Sequence, residues 1–473
     1  MVHSKSPSSL KSTAVQVAAS LVANLGAMMS GMVLGFPSTF VSPLLGSGSG
    51  LHATVDEASW AASLSFLAAP VTCLLAGPIV DWVGRRWGLQ LMNVTHVAGW
   101  LLLAVFPRSL PLLYVGRLLS GAGLGLGCCM VPTYITEIAS ITLRTTLVTL
   151  SPVMMASGIF IVYLWATIYQ TSWTEAAFFA FGISVWSLVL TPLLPESPLW
   201  LLSKGRAEEA LQALQRLRGA SAPEQVKEEL DSFSSRANDK QQTSSWLSTF
   251  HNLLQPEAYK PLLFLNIFFL FSQFSGIAVT INFGVSFVQN AGIEGQSYLL
   301  ALGISLMRLC STFLTTWACS VYGKRTPSLV TGGLSTLLMA MITLSLSPVL
   351  TLQPWVLGVC VLLFVLFNSV GFSSVPWSMM GEIFPTNVRG IASGLSACIL
   401  LSESFVIVKL YPGLVLSIGV FPIFLFFTIS GAIGTFYLYL FFPETHGLSL
   451  IEIEESFRGS KNVKKQKQPT RGV

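Results

Sequence analysis

Long apolar stretches follow one another along nearly the whole chain, and short polar segments separate them. A helix that crosses a bilayer needs about 20 mostly apolar residues. With a window of that length, the sequence predicts twelve membrane-spanning helices. They cover residues 14–42, 58–80, 88–107, 112–136, 146–170, 174–194, 258–290, 296–320, 327–347, 354–380, 389–411 and 415–442. Because these stretches are continuous rather than alternating, they favour helices over a β-barrel.

The segment between the sixth and seventh spans breaks this pattern. Residues 195–257 hold 16 of the chain's 47 charged side chains and place Leu211, Leu214 and Leu217 at helical spacing. We therefore expect a layer of short helices on one face of the membrane. The predicted organisation is a tail (1–13), a six-helix bundle (14–194), this helical loop (195–257), a second six-helix bundle (258–442) and a tail (443–473).

Three polar motifs occur once in each half, in the same order and at nearly the same offset. The pairs are Gly84-Arg85-Arg86 with Gly323-Lys324-Arg325, Glu137 and Arg144 with Glu382 and Arg389, and Pro195-Glu196-Ser197 with Pro443-Glu444-Thr445. The second copy follows the first by 239, 245 and 248 positions. Internal repeats of this size are a common way to build a transporter. We therefore expect an all-α membrane protein with two pseudo-symmetric six-helix bundles.

Composition supports a membrane protein. Charged residues make up 10% of the chain, against roughly 25% in soluble domains, and the mean hydropathy is +0.68. The net charge of +5 is diffuse, which argues against a nucleic-acid partner. The seven cysteines stand in apolar runs without the spacing of metal ligands. We expect no enzyme activity, no cofactor and no metal.

Lysine and arginine are unevenly divided between the two sides that twelve spans define. The side with the termini and the central loop receives 22 of the 26 basic residues, and only Arg108 and Lys409 fall in segments on the other side. Short basic loops stay in the cytoplasm, so both termini are expected there. The first apolar stretch is too long for a signal peptide and lacks a small-x-small cleavage site, so we interpret it as a span. The predicted location is the plasma membrane.

Charged residues at the ends of the spans are candidates for a gate. Arg85 and Arg86 follow Gly84 in a tight loop, and Glu137 and Arg144 lie on the same side around the end of the fourth span. Single charges at a membrane edge often only anchor a helix. Because this set recurs in the second half, we expect ion pairs between helices that form in one conformation and break in another.

Two further features lie within the spans. The stripe Gly121-x-Gly123-x-Gly125-x-Gly127 predicts close helix packing rather than a nucleotide site, since no strand precedes it. Polar side chains at membrane depth are candidates for a pathway. They are Ser272, Gln273, Ser275, Asn282, Gln289, Arg308, Asn368, Ser373, Ser374, Trp377 and Glu403.

These motifs resemble the sugar porter family of the major facilitator superfamily over almost the full chain. The resemblance rests on residues 81–86, Gly116-Arg117, Val131-Pro132-Thr133-Tyr134 and Pro195-Glu196-Ser197-Pro198, then on residues 273–277, Pro376-Trp377, Glu382-Ile383-Phe384-Pro385, Arg389-Gly390 and Pro443-Glu444-Thr445. Ala58-Ser59-Trp60 and residues 379–382 look most like the insect facilitated trehalose transporter branch. The resemblance implies two bundles that rock about a central sugar site, with charged motifs that latch the inner face. Those motif residues are Asp81, Gly84, Arg85, Arg86, Arg117, Glu137, Arg144, Glu196, Arg325, Glu382 and Arg389.

The chain departs from the family where the family binds sugar. Pro152 replaces an expected Gln, Ser272 replaces the first of a Gln pair, and an expected Asn is replaced by Ala278, Arg308 and Leu400. Each lost amide removes up to three or four hydrogen-bonding sites. The remaining candidates for substrate ligands are Gln273, Ser272, Asn282, Trp377 and Arg308.

Arg308 has two interpretations at this stage. A cation at bilayer depth costs about 2.5–3.5 kcal/mol, so it needs a partner or a cavity. It either pairs with Glu403 in the eleventh span or faces the pathway and binds substrate oxygens through its planar set of donors.

The sequence thus predicts a carrier that moves a sugar, trehalose or a hexose-like one, by alternating access. Transport is expected to be passive, because proton-driven relatives have an Asp in the first span where this chain has Val33. One alternative is an ion-coupled carrier, or a carrier of an anionic or non-sugar solute that Arg308 recognises. The other is a transport-dead sugar sensor that kept the fold, although the short tail after the last span offers little for signalling.

Overall fold

The computed structural model describes residues 10–46, 51–169, 172–220, 222–242 (backbone only from 235), 252–293, 296–347, 352–385, 388–443, 452 and 457. Twelve helices in this part of the chain are long and apolar enough to cross a membrane, which confirms the predicted number. Numbered as spans 1 to 12, they are Leu10–Leu45, Val55–Val83, Arg85–Val105, Leu110–Ile138, Ile141–Ile168, Thr174–Leu193, Pro256–Asn282, Ser297–Tyr322, Arg325–Ser345, Pro354–Met379, Arg389–Ile418 and Val420–Phe441.

Some boundaries differ from the predicted ones. Span 11 runs to Ile418 rather than to residue 411, because its helix accommodates Pro412 and the chain turns only at Gly419, where φ is +82°. Span 7 ends at Asn282, and a separate short helix, Gly284–Asn290, completes the predicted stretch. Span 1 is divided as well: the helix Leu10–Gly35 ends, and Pro37–Leu45 begins a second one.

Helix contacts divide the spans into two bundles with matching internal packing. In the first bundle, spans 2 and 3 both pack on span 4, span 3 packs on span 6, and span 1 packs on span 5. The second bundle repeats these contacts: spans 8 and 9 pack on span 10, span 9 on span 12, and span 7 on span 11. Between the bundles, span 2 contacts span 11 and span 8 contacts span 5. Exchanging the bundles converts one of these contacts into the other, so the predicted pseudo-symmetry is confirmed.

The ends of the bundles form two faces. We call the side where span 1 begins and span 12 ends the terminal face, and the other side the opposite face. Three loop helices, Pro198–Ser203, Ala207–Arg218 and Glu224–Gln242, lie on the terminal face. Arg218 donates a hydrogen bond to the Ile138 carbonyl at the end of span 4 (2.9 Å), and the Gln16 side chain donates one to the Leu217 carbonyl (3.4 Å). The loop helices are therefore attached to the first bundle.

The glycine stripe of span 4 marks its closest helix contacts. A Cβ added at Gly121 would lie 2.3 Å from the Ser65 carbonyl oxygen, and one at Gly125 would lie 2.2 Å from the Ala69 carbonyl oxygen. Span 2 therefore touches the backbone of span 4 at these two residues, one helical turn apart. The other two glycines of the stripe face spans 3 and 1. The predicted packing role of the stripe is confirmed.

Replacing Gly121 by alanine is expected to remove most of the correctly folded protein, because the new methyl group overlaps the backbone of Ser65. In an unobstructed helix the same change stabilises by up to about 1 kcal/mol. Gly182→Ala in span 6 is the matched control, since nothing lies within 4 Å of its added Cβ. The fraction that elutes as a monodisperse peak in detergent, and its melting temperature, measure both variants. Equal behaviour of the two variants would contradict the role assigned to Gly121.

Candidate functional site

The first terminal-face network is centred on Arg85. Its Nε and Nη2 atoms donate to the two carboxylate oxygens of Glu137 in span 4, both at 2.9 Å, and Nη1 donates to Asp81 Oδ1 at 3.1 Å. The Ser197 hydroxyl, from the central loop, donates a further hydrogen bond to Glu137. The Arg85 and Glu137 side chains are only 7% and 9% exposed. The pair joins spans 3 and 4 as a largely desolvated, two-pronged contact.

Glu196 completes this network at the start of span 3. Its carboxylate accepts hydrogen bonds from the backbone N–H groups of Arg85 (2.9 Å) and Arg86 (3.1 Å). A negative charge is favourable at a helix N-terminus, where backbone donors lack partners. Gly84 makes the approach possible: its φ is +100°, and an added Cβ would lie 2.6 Å from a Glu196 carboxylate oxygen. The motif thus requires glycine for two reasons: the backbone has a positive φ here, and a side chain would overlap the Glu196 carboxylate.

The second bundle forms the equivalent contacts with different residues. Lys324 follows Gly323 (φ +74°) and contacts Glu382 at 2.6 Å, as Arg85 does Glu137. The next residue also matches: Arg325 donates to the Tyr439 carbonyl near the end of span 12 (3.2 Å), and Arg86 donates to the Leu194 carbonyl just after span 6 (3.5 Å). In each half, one basic residue reaches the fourth span and the next reaches the last span. Glu444 lies outside the described residues.

Two of the arginines that the sequence predicted as gate residues take no part in these ion pairs. Arg144 forms no ion pair with a described residue, and Arg389 donates to the Phe384 carbonyl (3.1 Å) instead of to Glu382. Arg144 lies in the first turn of span 5, whereas Glu137 lies at the end of span 4 and is already paired with Arg85. The seven-residue spacing correctly indicates the repeat, but the two side chains form no described ion pair with each other.

Arg117 was predicted to belong to the gate on the terminal face, and the structure places it elsewhere. It is fully buried in the half of span 4 nearer the opposite face, and it donates to the carbonyls of Val33 (3.1 Å), Ala61 (3.1 Å) and Ala62 (3.2 Å). The Val33 carbonyl lacks a helical partner because the residue four places later, Pro37, has no N–H. Arg117 thus stabilises the division in span 1. No carboxylate among the described residues pairs with it.

On the opposite face, hydrogen bonds hold the bundles together. The Tyr163 hydroxyl in span 5 contacts the Ile281 carbonyl in span 7 at 2.7 Å, and Ser38 in the second helix of span 1 contacts the Asn282 carbonyl at 3.1 Å. The hydrogen bonds described between the bundles lie in this half, apart from a 4.0 Å contact of Cys73 with Gly394. This conformation is therefore closed at the opposite face.

An ion pair adds to this closure. Lys409 in span 11 contacts Asp56 at the start of span 2 (2.6 Å) and donates to Ser59 (2.7 Å), and its ammonium lies 4.4 Å from the centre of the Trp60 ring. Sequence reasoning did not identify Lys409, Tyr163 or Ser38 as gate residues. The only signal was that Lys409 is one of the two basic residues predicted on this side.

Between the faces, two spans of the second bundle have irregular turns. Span 7 widens to a π-helical turn at Gln273–Ile277, with φ of +96° at Gly276, and span 10 does so at Asn368–Ser373. The turns contact each other through Asn368, whose side-chain amide donates to Ser275 Oγ at 2.8 Å. π-Helical turns are frequent at functional sites. Spans 7 and 10 also occupy equivalent places in the two halves of their bundle.

The predicted ligand residues do not all surround this centre. Gln273 is half-buried in the span 7 turn, and Ser272 is buried one residue earlier. Trp377, one turn after the irregular part of span 10, packs edge-on against Phe269 at 5.9 Å between ring centres. Asn282 belongs to the opposite-face gate, because its backbone carbonyl is the one that Ser38 contacts.

The contacts of Arg308 decide whether it pairs with Glu403. Its guanidinium donates to Ser373 Oγ in span 10 at 3.1 Å, the one hydrogen bond described for it. The described residues include no ion pair between Arg308 and Glu403, and one carboxyl oxygen of Glu403 is buried without a partner. The predicted pair is thus not formed. Arg308 is 8% exposed and contacts the irregular turn of span 10.

Two six-helix bundles, hydrogen-bonded at one face and with irregular polar turns midway, define a transporter of the major facilitator fold. The chain matches the sugar (and other) transporter family over residues 5–457 and belongs to that family. Facilitated trehalose transporter Tret1 of Culex quinquefasciatus is 30% identical over 463 residues, which cover 95% of this chain and 87% of that protein. Tret1 of Apis mellifera ligustica is 29% identical over 452 residues, 93% and 88% of the two chains.

Solved structures share the fold. The proton:xylose symporter XylE bound to 6-bromo-6-deoxy-D-glucose superposes with a TM-score of 0.75 at 18% identity, covering 94% of this chain and 99% of that one. The inward open conformation of XylE from E. coli gives 0.76 at 19% identity, with coverage of 93% and 99%. At these identities the similarity concerns the fold alone.

Proposed function

We propose that this protein carries a sugar across the membrane passively, by alternating access. The observation that supports this best is the position of the bonds between the bundles. They cluster at the opposite face, whereas the charged pairs of the terminal face each join helices of one bundle. Each bundle can thus move as a unit against the other, which would open and close the two faces in turn. The names of the relatives favour trehalose as the sugar.

The proposed orientation places the terminal face in the cytoplasm of a plasma-membrane protein. This face carries the loop helices, the beginning of span 1 and the motif arginines other than Arg117, and the sequence assigns 22 of its 26 basic residues to that side. Basic segments are retained in the cytoplasm. The proposed units remain the two bundles at 14–194 and 258–442, the loop at 195–257 and the two cytoplasmic tails.

Passive transport is proposed because the position of the acidic residue in proton-driven relatives is apolar in this chain. A proton-driven carrier needs a titratable side chain that meets each side in turn. Val33, at the position of the acidic residue in proton-driven relatives, is fully buried in an apolar cluster to which both bundles contribute. Glu403 in span 11 is an acidic side chain at depth, so the pH-gradient experiment below also tests whether Glu403 couples transport to protons.

Vesicles that contain the purified protein are expected to take up labelled trehalose until the internal and external concentrations are equal. Preloading with unlabelled trehalose should accelerate entry of the label, because an alternating-access carrier returns faster when loaded. Protein-free vesicles are the control. An imposed pH gradient should leave the final level unchanged. Accumulation above the external concentration would contradict passive transport, and the absence of uptake for every sugar tested would contradict the function itself.

A second candidate function, transport of an anionic solute, has one observation in its favour. Arg308 is a buried cation for which the described residues supply a hydroxyl but no carboxylate. A buried cation without a counter-charge is costly, and an acidic group on the solute would supply it. The Discussion describes the variant that separates the two candidates.

A further inference from the structure

A basic cavity lies at the terminal face, between the turn that joins spans 2 and 3 and the first two loop helices. Its volume is about 400 Å³. Three arginines line it from three different elements: Arg86 from span 3, Arg206 from before the second loop helix and Arg216 from within that helix. The transport pathway proposed above does not include this cavity.

The charges around the cavity do not cancel. Arg86 and Arg216 form no ion pair with a described residue, and each donates to a backbone carbonyl at the end of span 6. Arg206 is paired with Glu209, both contacts being 2.6 Å. The other carboxylate in the lining, Glu196, already accepts the backbone N–H groups at the start of span 3. Two guanidinium groups thus remain available for an external anion.

An apolar groove continues from this cavity along the outer surface of span 3. Its lining includes Trp82, Trp87, Leu91 and Val94, and it shares Val83 and Trp87 with the cavity. Trp82 is 79% exposed and Trp87 is 57% exposed. Positions 87, 91 and 94 fall on one side of the helix, so the groove extends about 10 Å from the terminal face towards the middle of the membrane. Tryptophan is typical of the membrane interface.

We propose that the cavity and groove together bind one anionic phospholipid from the leaflet at the terminal face. The phosphate and a second acidic group of the head enter the cavity, where arginine donors match their oxygens. One acyl chain lies in the groove against the tryptophans. The combination identifies the ligand, since a free phosphate would leave the groove unused and a zwitterionic phospholipid would supply its phosphate but no second acidic group.

Binding to the full-length protein in detergent tests this proposal, with fluorescent phosphatidylserine and phosphatidylcholine of the same acyl chains as probes. The unmodified protein should prefer phosphatidylserine. Arg216→Gln should weaken phosphatidylserine binding about fivefold and phosphatidylcholine binding less, because phosphatidylcholine has the phosphate but no second acidic group. Trp82→Ala should weaken both lipids, because both place a chain in the groove. Lys227→Gln is the matched control: it removes the same charge from an exposed position on the third loop helix, outside the cavity.

Three results would overturn the proposal. One is equal binding of the two lipids to the unmodified protein. Another is an equal loss in Lys227→Gln and Arg216→Gln, which would indicate attraction by overall charge. The third is displacement of the lipid by soluble glycerophosphoserine at the same concentration as by unlabelled phosphatidylserine, which would assign the cavity to a free anion. If Arg216→Gln does not elute as a monodisperse peak, Arg86→Gln replaces it, because Arg86 is the other lining arginine that forms no ion pair with a described residue.

Discussion

Replacing Glu137 by glutamine is expected to lower the folding stability by about 3–5 kcal/mol, the range for breaking a buried ion pair from one side. The reason is Arg85, which is 7% exposed and would exchange both carboxylate contacts of 2.9 Å for at most one contact to an amide oxygen. Its remaining counter-charge would be Asp81, which is 74% exposed. Glu382→Gln is the matched change in the second bundle. There the Glu382 side chain is 50% exposed, so the loss of its contact with Lys324 should cost about 0–1 kcal/mol. Melting temperatures in detergent compare the two.

A second substitution distinguishes the ion pair from other effects at this position. Removing the positive charge as well, in Glu137→Gln with Arg85→Gln, should recover part of the stability, because no unpaired buried charge remains. Equal melting temperatures for Glu137→Gln and Glu382→Gln would contradict the assigned difference in burial. Whether the pair also forms and breaks during transport stays a prediction, which labelling of cysteines introduced at the terminal face would test.

The architecture was predictable because a bilayer leaves few solutions for an apolar chain. Each span must satisfy its own backbone and cover about 30 Å, so the hydrophobic stretches alone indicate twelve helices. The repeat of Gly84-Arg85 as Gly323-Lys324 predicted the symmetry, and the structure shows why both positions are kept. In each half, glycine provides the positive φ, and the basic residue contacts a glutamate at or just after the end of the fourth span.

The roles of individual residues were harder to predict, because they depend on contacts between distant parts of the chain. Pro37 shows in the sequence that the Val33 carbonyl lacks its helical partner. That Arg117 in span 4 provides the missing donor depends on how span 4 packs against span 1. Tyr163 and Ser38 were missed for a related reason. Hydroxyl groups are common in membrane helices, and nothing local marks these two as contacts between bundles.

Arg308→Asn is expected to fold normally and to change which solutes are carried. The guanidinium donates to Ser373 and to no carboxylate among the described residues, so its removal leaves no charge unpaired. Asparagine is also the residue that the resemblance to the sugar porter family predicts at this position. A hydrogen bond to a charged group contributes roughly 1.5–3 kcal/mol. If Arg308 binds an acidic group on the solute, its loss should therefore weaken such a solute by about 10- to 100-fold.

Uptake into vesicles that contain the purified protein measures this change in solute preference. The labelled solutes are trehalose, glucose, glucuronate and glucose phosphate. For an anion carrier, Arg308→Asn loses glucuronate and glucose phosphate, while Arg308→Lys retains part of that uptake because it keeps the charge. For a sugar carrier, Arg308→Asn retains or improves uptake of the neutral sugars, since the amide can both donate and accept. Ser373→Ala is the control that removes the partner of Arg308 and keeps its charge, so it should leave the choice between neutral and acidic solutes unchanged. An Arg308→Asn protein that transports all four solutes like the parent would exclude Arg308 from substrate recognition.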